Sequence, residues 1–158
     1  MPRSFIDKHD NHKHPAQVET LAKPMWGLKR GQTIAIATPK DVSAFFKRVR
    51  AGKTRTMDDL RASLAKKYAA DAACPLTTGI FARISAEAAL EHMQAGAKPS
   101  EVAPFWRVIE PTSPLAKKLS CGPDFIREMR LLEGVAEAAP RAKKATAKKK
   151  SARATRRS

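Results

Sequence analysis

The chain is poor in cysteine, in tyrosine and in long apolar runs, and each shortage removes a class of protein. It has two cysteines, Cys74 and Cys121, in 158 residues. Two are too few for the disulfide framework of a small secreted domain, and they fit a reducing compartment. A single Cys74–Cys121 disulfide is the less favoured alternative. No apolar run approaches the roughly 18–20 residues that a membrane span needs. The opening stretch, MPRSFIDKHDNHKHP, carries no apolar segment of the kind found in a secretory leader. The sequence also has no glycine-rich phosphate loop, no His-Glu-x-x-His and no Gly-x-Ser-x-Gly. The expectation is a cytoplasmic protein with no membrane partner and no cofactor.

What the chain has in excess is positive charge. The formal net charge is +16. From Arg141 to Ser158 there are nine Lys/Arg and no acid, which leaves 22 basic and 15 acidic side chains in the first 140 residues, a net of +7. So the body is basic in its own right, and the terminal stretch more than doubles the charge. Such a chain seeks polyanions: DNA, RNA or an anionic membrane surface. The terminal stretch has Ala and Thr between its charges and no large apolar side chain to enter lipid, which favours nucleic acid.

Three segments follow from composition. Residues 1–24 are polar and proline-punctuated, and read as mostly irregular. Residues 25–134 hold nearly all the large apolar side chains and read as one small domain. Residues 135–158 cannot bury enough apolar surface to offset ordering entropy, and are expected to be a disordered Lys/Arg/Ala-rich tail. Lys143, Lys144, Lys148, Lys149 and Lys150 are its candidate phosphate contacts.

Inside the body, Gln32–Ala37 alternates and reads as a short strand. Thr38, Pro39 and Asp41 have the order of a helix start, and the helix buries Val42, Phe45, Phe46 and Val49 before Gly52. Thr56 with Asp59 opens a second helix with a stripe of Met57, Leu60, Leu64 and Tyr68. A third runs from near Thr77 or Thr78 to about Gln94 and buries Ile80, Phe81, Ile84 and Ala88. PFWRVIE, residues 104–110, reads as a strand. A last helix from Pro123 carries Phe125, Ile126, Met129 and Leu132 and ends at Gly134. The predicted class is therefore mainly α with a small β component, a winged-helix-like (helix-turn-helix) single domain with tails.

In a helix-turn-helix the last helix enters DNA with its N-terminal residues first. Here that end is Thr77, Thr78 and Gly79: hydroxyls and free N–H groups suit phosphates, and glycine lets a backbone come close. A plain N-cap is the competing reading. Lys53 and Arg55, in the link between the first two helices, are candidate phosphate contacts. Arg83 is either a DNA contact or an intrahelical partner of Glu87.

Three stretches in order resemble the O6-alkylguanine-DNA alkyltransferases and the alkyltransferase-like proteins. Gly52-Lys53-Thr54-Arg55-Thr56-Met57-Asp58-Asp59-Leu60 is similar to the family's Gly-Lys/Arg-Val-x-Thr-Tyr-Gly stretch. Ala103-Pro104-Phe105-Trp106-Arg107-Val108-Ile109 is similar to its Ile-Pro-Cys-His-Arg-Val. Leu119–Gly122 with Arg127–Gly134 is similar to its closing Gly-Gly and Leu-Leu-x-x-Glu-Gly. The resemblance spans roughly residues 38–134 and implies a winged-helix-type DNA-binding domain. It also implies DNA-contact roles for Thr56 and Met57.

The departures from that pattern are chemical. The alkyl-acceptor cysteine position is Phe105 and its activating histidine is Trp106, and neither is a nucleophile or a base. The nucleotide-rotating tyrosine is Met57, and the arginine that fills the gap in the base stack falls near Leu76 or Thr77. The expectation is a non-catalytic DNA-binding protein, linked to repair or damage recognition, with Phe105, Trp106 and Arg107 as a candidate base pocket. On a strand Phe105 and Trp106 would face opposite ways, so only one of them would line it. Two alternatives stand beside this reading. One is a methyltransferase using Cys74 or Cys121; the other is an architectural nucleoid-associated or RNA-binding protein. His9, His12 and His14, with Asp7 and Asp10, have chelating spacings, but a solvated segment without metal is the expected state.

Overall fold

The computed structural model describes residues 3–135. The cationic tail, with Lys143, Lys144, Lys148, Lys149 and Lys150, lies outside the described residues. The order is α1 (Phe5–Asp10), β1 (Gln17–Thr20), β2 (Thr33–Ile36), α2 (Pro39–Arg48), α3 (Met57–Lys67), β3 (Ala72–Ala73), α4 (Pro75–Gln94), α5 (Pro114–Lys118) and α6 (Gly122–Leu132), with 3-10 turns at Pro99–Glu101 and Phe105–Arg107. β2 lies in the middle of a three-stranded sheet. It pairs antiparallel with β1, Gln17 opposite Ile36, and parallel with β3, Ile34 opposite Ala72. The fold is mainly helical with a small sheet. Among the described residues no helix is long and apolar enough to cross a membrane.

Two helices begin on reciprocal caps. The Thr38 hydroxyl accepts the Asp41 N–H at 3.2 Å, and the Asp41 carboxylate accepts the Thr38 N–H at 3.2 Å. Thr56 and Asp59 do the same at 3.0 Å each. Each cap satisfies two backbone donors that the first helical turn leaves free. α2 then buries Val42, Phe45 and Phe46, and α3 buries Leu60 and Leu64. Gly52, between them, sits at φ +85°, and a Cβ there would come 3.3 Å from the Glu133 carbonyl. Only glycine combines that dihedral with that approach.

The structure departs from the sequence reading at both ends of the body and in the middle. Part of the stretch expected to be irregular forms α1 and β1. The Ser4 hydroxyl accepts the Asp7 N–H, and the Phe5 and Ile6 N–H groups both donate to the Glu91 carboxylate of α4 at 3.0 Å. A buried-side partner 85 residues away stabilises a six-residue helix that is too short to stand alone. α4 begins on Pro75, two residues before the predicted start. The Cys74 N–H donates to Ala35, so β3 leads straight into the helix. Ile80, expected inside, is 49% exposed, whereas Thr78, Ala82 and Ser85 are buried. Leu132, expected on the buried face of α6, is 74% exposed.

PFWRVIE is not a strand. Phe105–Arg107 is a 3-10 turn, and Phe105, Trp106, Val108 and Ile109 are all buried. A segment enclosed on every side has no alternating face to show, and this one plugs the centre of the helical core. Trp106 meets Phe105 edge-on at 5.3 Å, and the Phe105 and Phe125 rings stack at 6.0 Å.

Candidate nucleic-acid interface

The first half of α4 has two faces of different chemistry. Thr78, Phe81, Ala82 and Ser85 point into the core, and the Thr78 hydroxyl donates to the Cys74 carbonyl at 2.7 Å. The opposite face presents Leu76, 65% exposed, and Ile80, one helical turn on. Gly79 lies between them, with nothing within 4 Å of where a Cβ would stand. This face lines a groove of about 570 Å³ that α1 and α5 complete. Lys8 comes from α1, Arg83 from α4 and Lys118 from α5; no acid lines the groove. The ring of Phe5 sits among the cations, 4.5 Å from the Lys8 Nζ and 5.9 Å from the Arg83 guanidinium carbon. The Arg83–Glu87 ion pair does not form. Glu87 is buried and accepts from the Ser120 N–H and hydroxyl at 2.8 and 2.6 Å.

The predicted contact residues therefore fall into separate places. Gly79 and Arg83 border the α4 groove. Thr77 and Thr78 lie within the first turn of α4, and neither hydroxyl caps it. Lys53 and Arg55 are exposed on the α2–α3 link, where the Arg55 N–H donates to the Arg107 carbonyl at 2.9 Å. That link packs against the Phe105–Arg107 turn and the end of α6, and contributes nothing to the groove. The Thr56 hydroxyl is spent on its cap, and Met57 is half-buried against the core. Sequence reasoning missed Phe5, Lys8, Leu76 and Lys118. The available signal was the Leu76/Ile80 pair, spaced by four and out of phase with the stripe through Phe81 and Ser85.

The candidate base pocket is a filled core. Phe105 and Trp106 are 0% and 1% exposed. The Trp106 Nε1–H donates to the Glu133 carboxylate at 3.0 Å; Arg107 donates to the same carboxylate through Nε and Nη2, and to the Val49 carbonyl through Nη1 at 2.6 Å. Arg130 adds a bond from its Nε to the Trp106 carbonyl at 2.7 Å. Burial pushes the Glu133 carboxyl up, but the hydrogen bonds from Arg107 and Trp106 and the Arg107 charge outweigh it and hold the group below the usual glutamate range. These polar groups are mutually satisfied and leave no face for a base.

The other candidate chemistry is likewise accounted for. Cys74 is buried. The Cys121 thiol is pushed up to about 11 by burial and by the Glu87 carboxylate, so it stays protonated and non-nucleophilic near neutral pH. His9 parts from His12 and His14, whose rings stay edge-on at 5.9 Å. His9 bridges the Ser43 hydroxyl and Asp10, 2.7 Å each, while His12 lies edge-on to Phe81 at 5.1 Å. Asp10, His9 and Ser43 have the order of a nucleophilic triad. However, Ser43 sits in the second turn of α2, where neighbouring N–H groups are spent on the helix rather than aimed at an oxyanion. The bridge fastens α1 to α2. Among the described residues no group of three or more His, Cys, Asp or Glu could hold a metal.

The chain matches no protein-family profile, no curated protein and no solved structure.

Proposed function

We propose that this is a non-catalytic DNA-binding protein, in which α2, α3 and α4 act as a winged-helix-like unit, the first half of α4 approaches duplex DNA, and the cationic C-terminal segment grips phosphates. The observation that carries the reading is the α4 groove, where exposed Leu76 and Ile80 are rimmed by Lys8, Arg83 and Lys118 with no acid between them. Cations around an accessible helix face suit a phosphate backbone, and exposed apolar side chains suit groove walls and base steps. The ordered resemblance of residues 38–134 to alkyltransferase-like proteins supports the same partner. In this reading the protein is cytoplasmic and nucleoid-associated, and repair or damage recognition is its context.

Alkyl transfer is disfavoured on this chain's own chemistry. The acceptor position is Phe105 in the core, and Cys121 keeps its proton. The test of the interface is a Lys8→Ala/Arg83→Ala/Lys118→Ala variant in duplex-binding anisotropy. Three lost phosphate contacts flatten the dependence of log K on log salt by about 2.7, at ~0.9 per phosphate. An unchanged slope would place the duplex elsewhere. RNA is the competing partner, and equal affinity for single-stranded RNA and duplex DNA would favour an architectural role.

A further inference from the structure

We propose that Trp26 is a stacking platform for an unpaired nucleobase, at a second contact site beside the start of α4. This rests on the DNA-binding reading and adds a preference to it: single-stranded segments over perfect duplex. Trp26 stands at the tip of the long β1–β2 connection. Met25 and Leu28 exchange both backbone hydrogen bonds there, at 3.1 and 2.9 Å. The two residues between them, Trp26 and Gly27, have φ of +55° and +79°. A two-residue turn with both dihedrals positive favours Asn-Gly or Asp-Gly, because asparagine and glycine tolerate the left-handed region. A tryptophan is strained at that position, and strain of this kind concentrates at ligand clamps.

The surroundings suit a base. Trp26 is 49% exposed. It borders a cleft of about 480 Å³ that Arg61, Ala62 and Ala65 of α3 also line. The small alanines leave room beside the indole. Lys23, Lys29 and Arg30, on the same connection, are exposed and make no ion pair among the described residues. Arg61 pairs with the exposed Asp58. The cleft's own acid, Asp71, is occupied, accepting from the Thr33 N–H at 2.8 Å and the Thr33 hydroxyl at 3.2 Å. Pro75 borders both this cleft and the α4 groove. An exposed aromatic face on a connection that carries cations is the arrangement that holds single strands, the ring taking a base and the cations the backbone.

The turn supplies a clean variant. Trp26→Asn installs the favoured Asn-Gly turn while removing the ring. The full chain and this variant are titrated with fluorescein-labelled oligodeoxythymidylate and with a perfect duplex of the same length. The expected result is a loss of about tenfold on the single strand, with little change on the duplex. The thermal midpoint stays level or rises, and Trp26→Tyr keeps most of the affinity. Single strand quenches the indole emission of the natural chain but not of Trp26→Asn, whose remaining tryptophan, Trp106, is 1% exposed. Equal single-strand affinity in Trp26→Asn, quenching that persists in it, or an equal loss on both nucleic acids overturns the proposal. A natural chain that binds duplex but not single strand also overturns it and leaves the DNA-binding reading standing. A chain that binds neither overturns both.

Discussion

At the scale of single residues, a few carboxylates hold the fold together, and they make it acid-sensitive. Asp41 caps α2, accepts the Tyr68 hydroxyl at 2.5 Å and pairs with Lys67. Burial pushes its carboxyl up. The bonds from Lys67 and Tyr68 outweigh that and lower it below the usual aspartate range. Glu133, between Trp106 and Arg107, is lowered in the same way. A carboxylate that is more acidic folded than unfolded contributes stability above its unfolded pKa, roughly 4, and loses it as pH falls through the folded value. The protein is therefore expected to lose stability progressively below about pH 4, measured as the denaturant midpoint against pH. Asp41→Asn and Glu133→Gln each cost about 1–3 kcal/mol at neutral pH and flatten that acid slope. A slope unchanged by both would remove these two groups from the account.

At the scale of elements, local chemistry was legible and tertiary enclosure was not. The Thr38/Asp41 and Thr56/Asp59 pairs announce α2 and α3 because a cap is a contact between residues three apart. α1 has a local cap from Ser4 to Asp7, but its six residues depend on Glu91, far along the chain, which nothing near Phe5 signals. The 104–110 segment misleads because burial on all sides erases periodicity, leaving aromatic and β-branched content that resembles a strand. In α4 the alanines and a buried Ser85 and Glu87 blur the stripe, so the sequence pattern puts Ile80 on the wrong face. The same error hid the site, since the exposed Leu76/Ile80 ridge is what the groove is built on. Substituting that ridge separates binding from folding. Leu76→Ala with Ile80→Ala is expected to change stability by no more than about 1 kcal/mol, since Leu76 is mostly exposed and Ile80 about half exposed. Duplex affinity should fall several-fold in the same variant, read by anisotropy beside a thermal melt. Equal affinity with an unchanged melt would remove the ridge from the interface.

At the scale of the whole molecule, the proposed function divides the work of binding between charge and fold. The body carries an accessible helix face ringed by cations from three elements, and the chain's last eighteen residues add nine more cations and no acid. Charge was fully legible in the sequence, and the proposal of a polyanion partner rests on it. The proposal of DNA within that class rests on the helical body and on the expected resemblance of its sequence motifs to alkyltransferase-like proteins. The enclosed Phe105 and Trp106 remove the pocket through which a damaged base would be held, so the reading shifts from lesion chemistry toward contacts along the backbone. The most direct measurement is duplex affinity against salt concentration for the full chain and for a chain truncated after residue 138. Both are expected to bind, with log K for the full chain falling more steeply by ~0.9 for each tail–phosphate contact. Equal slopes, or no duplex binding by the full chain, would contradict the proposed function.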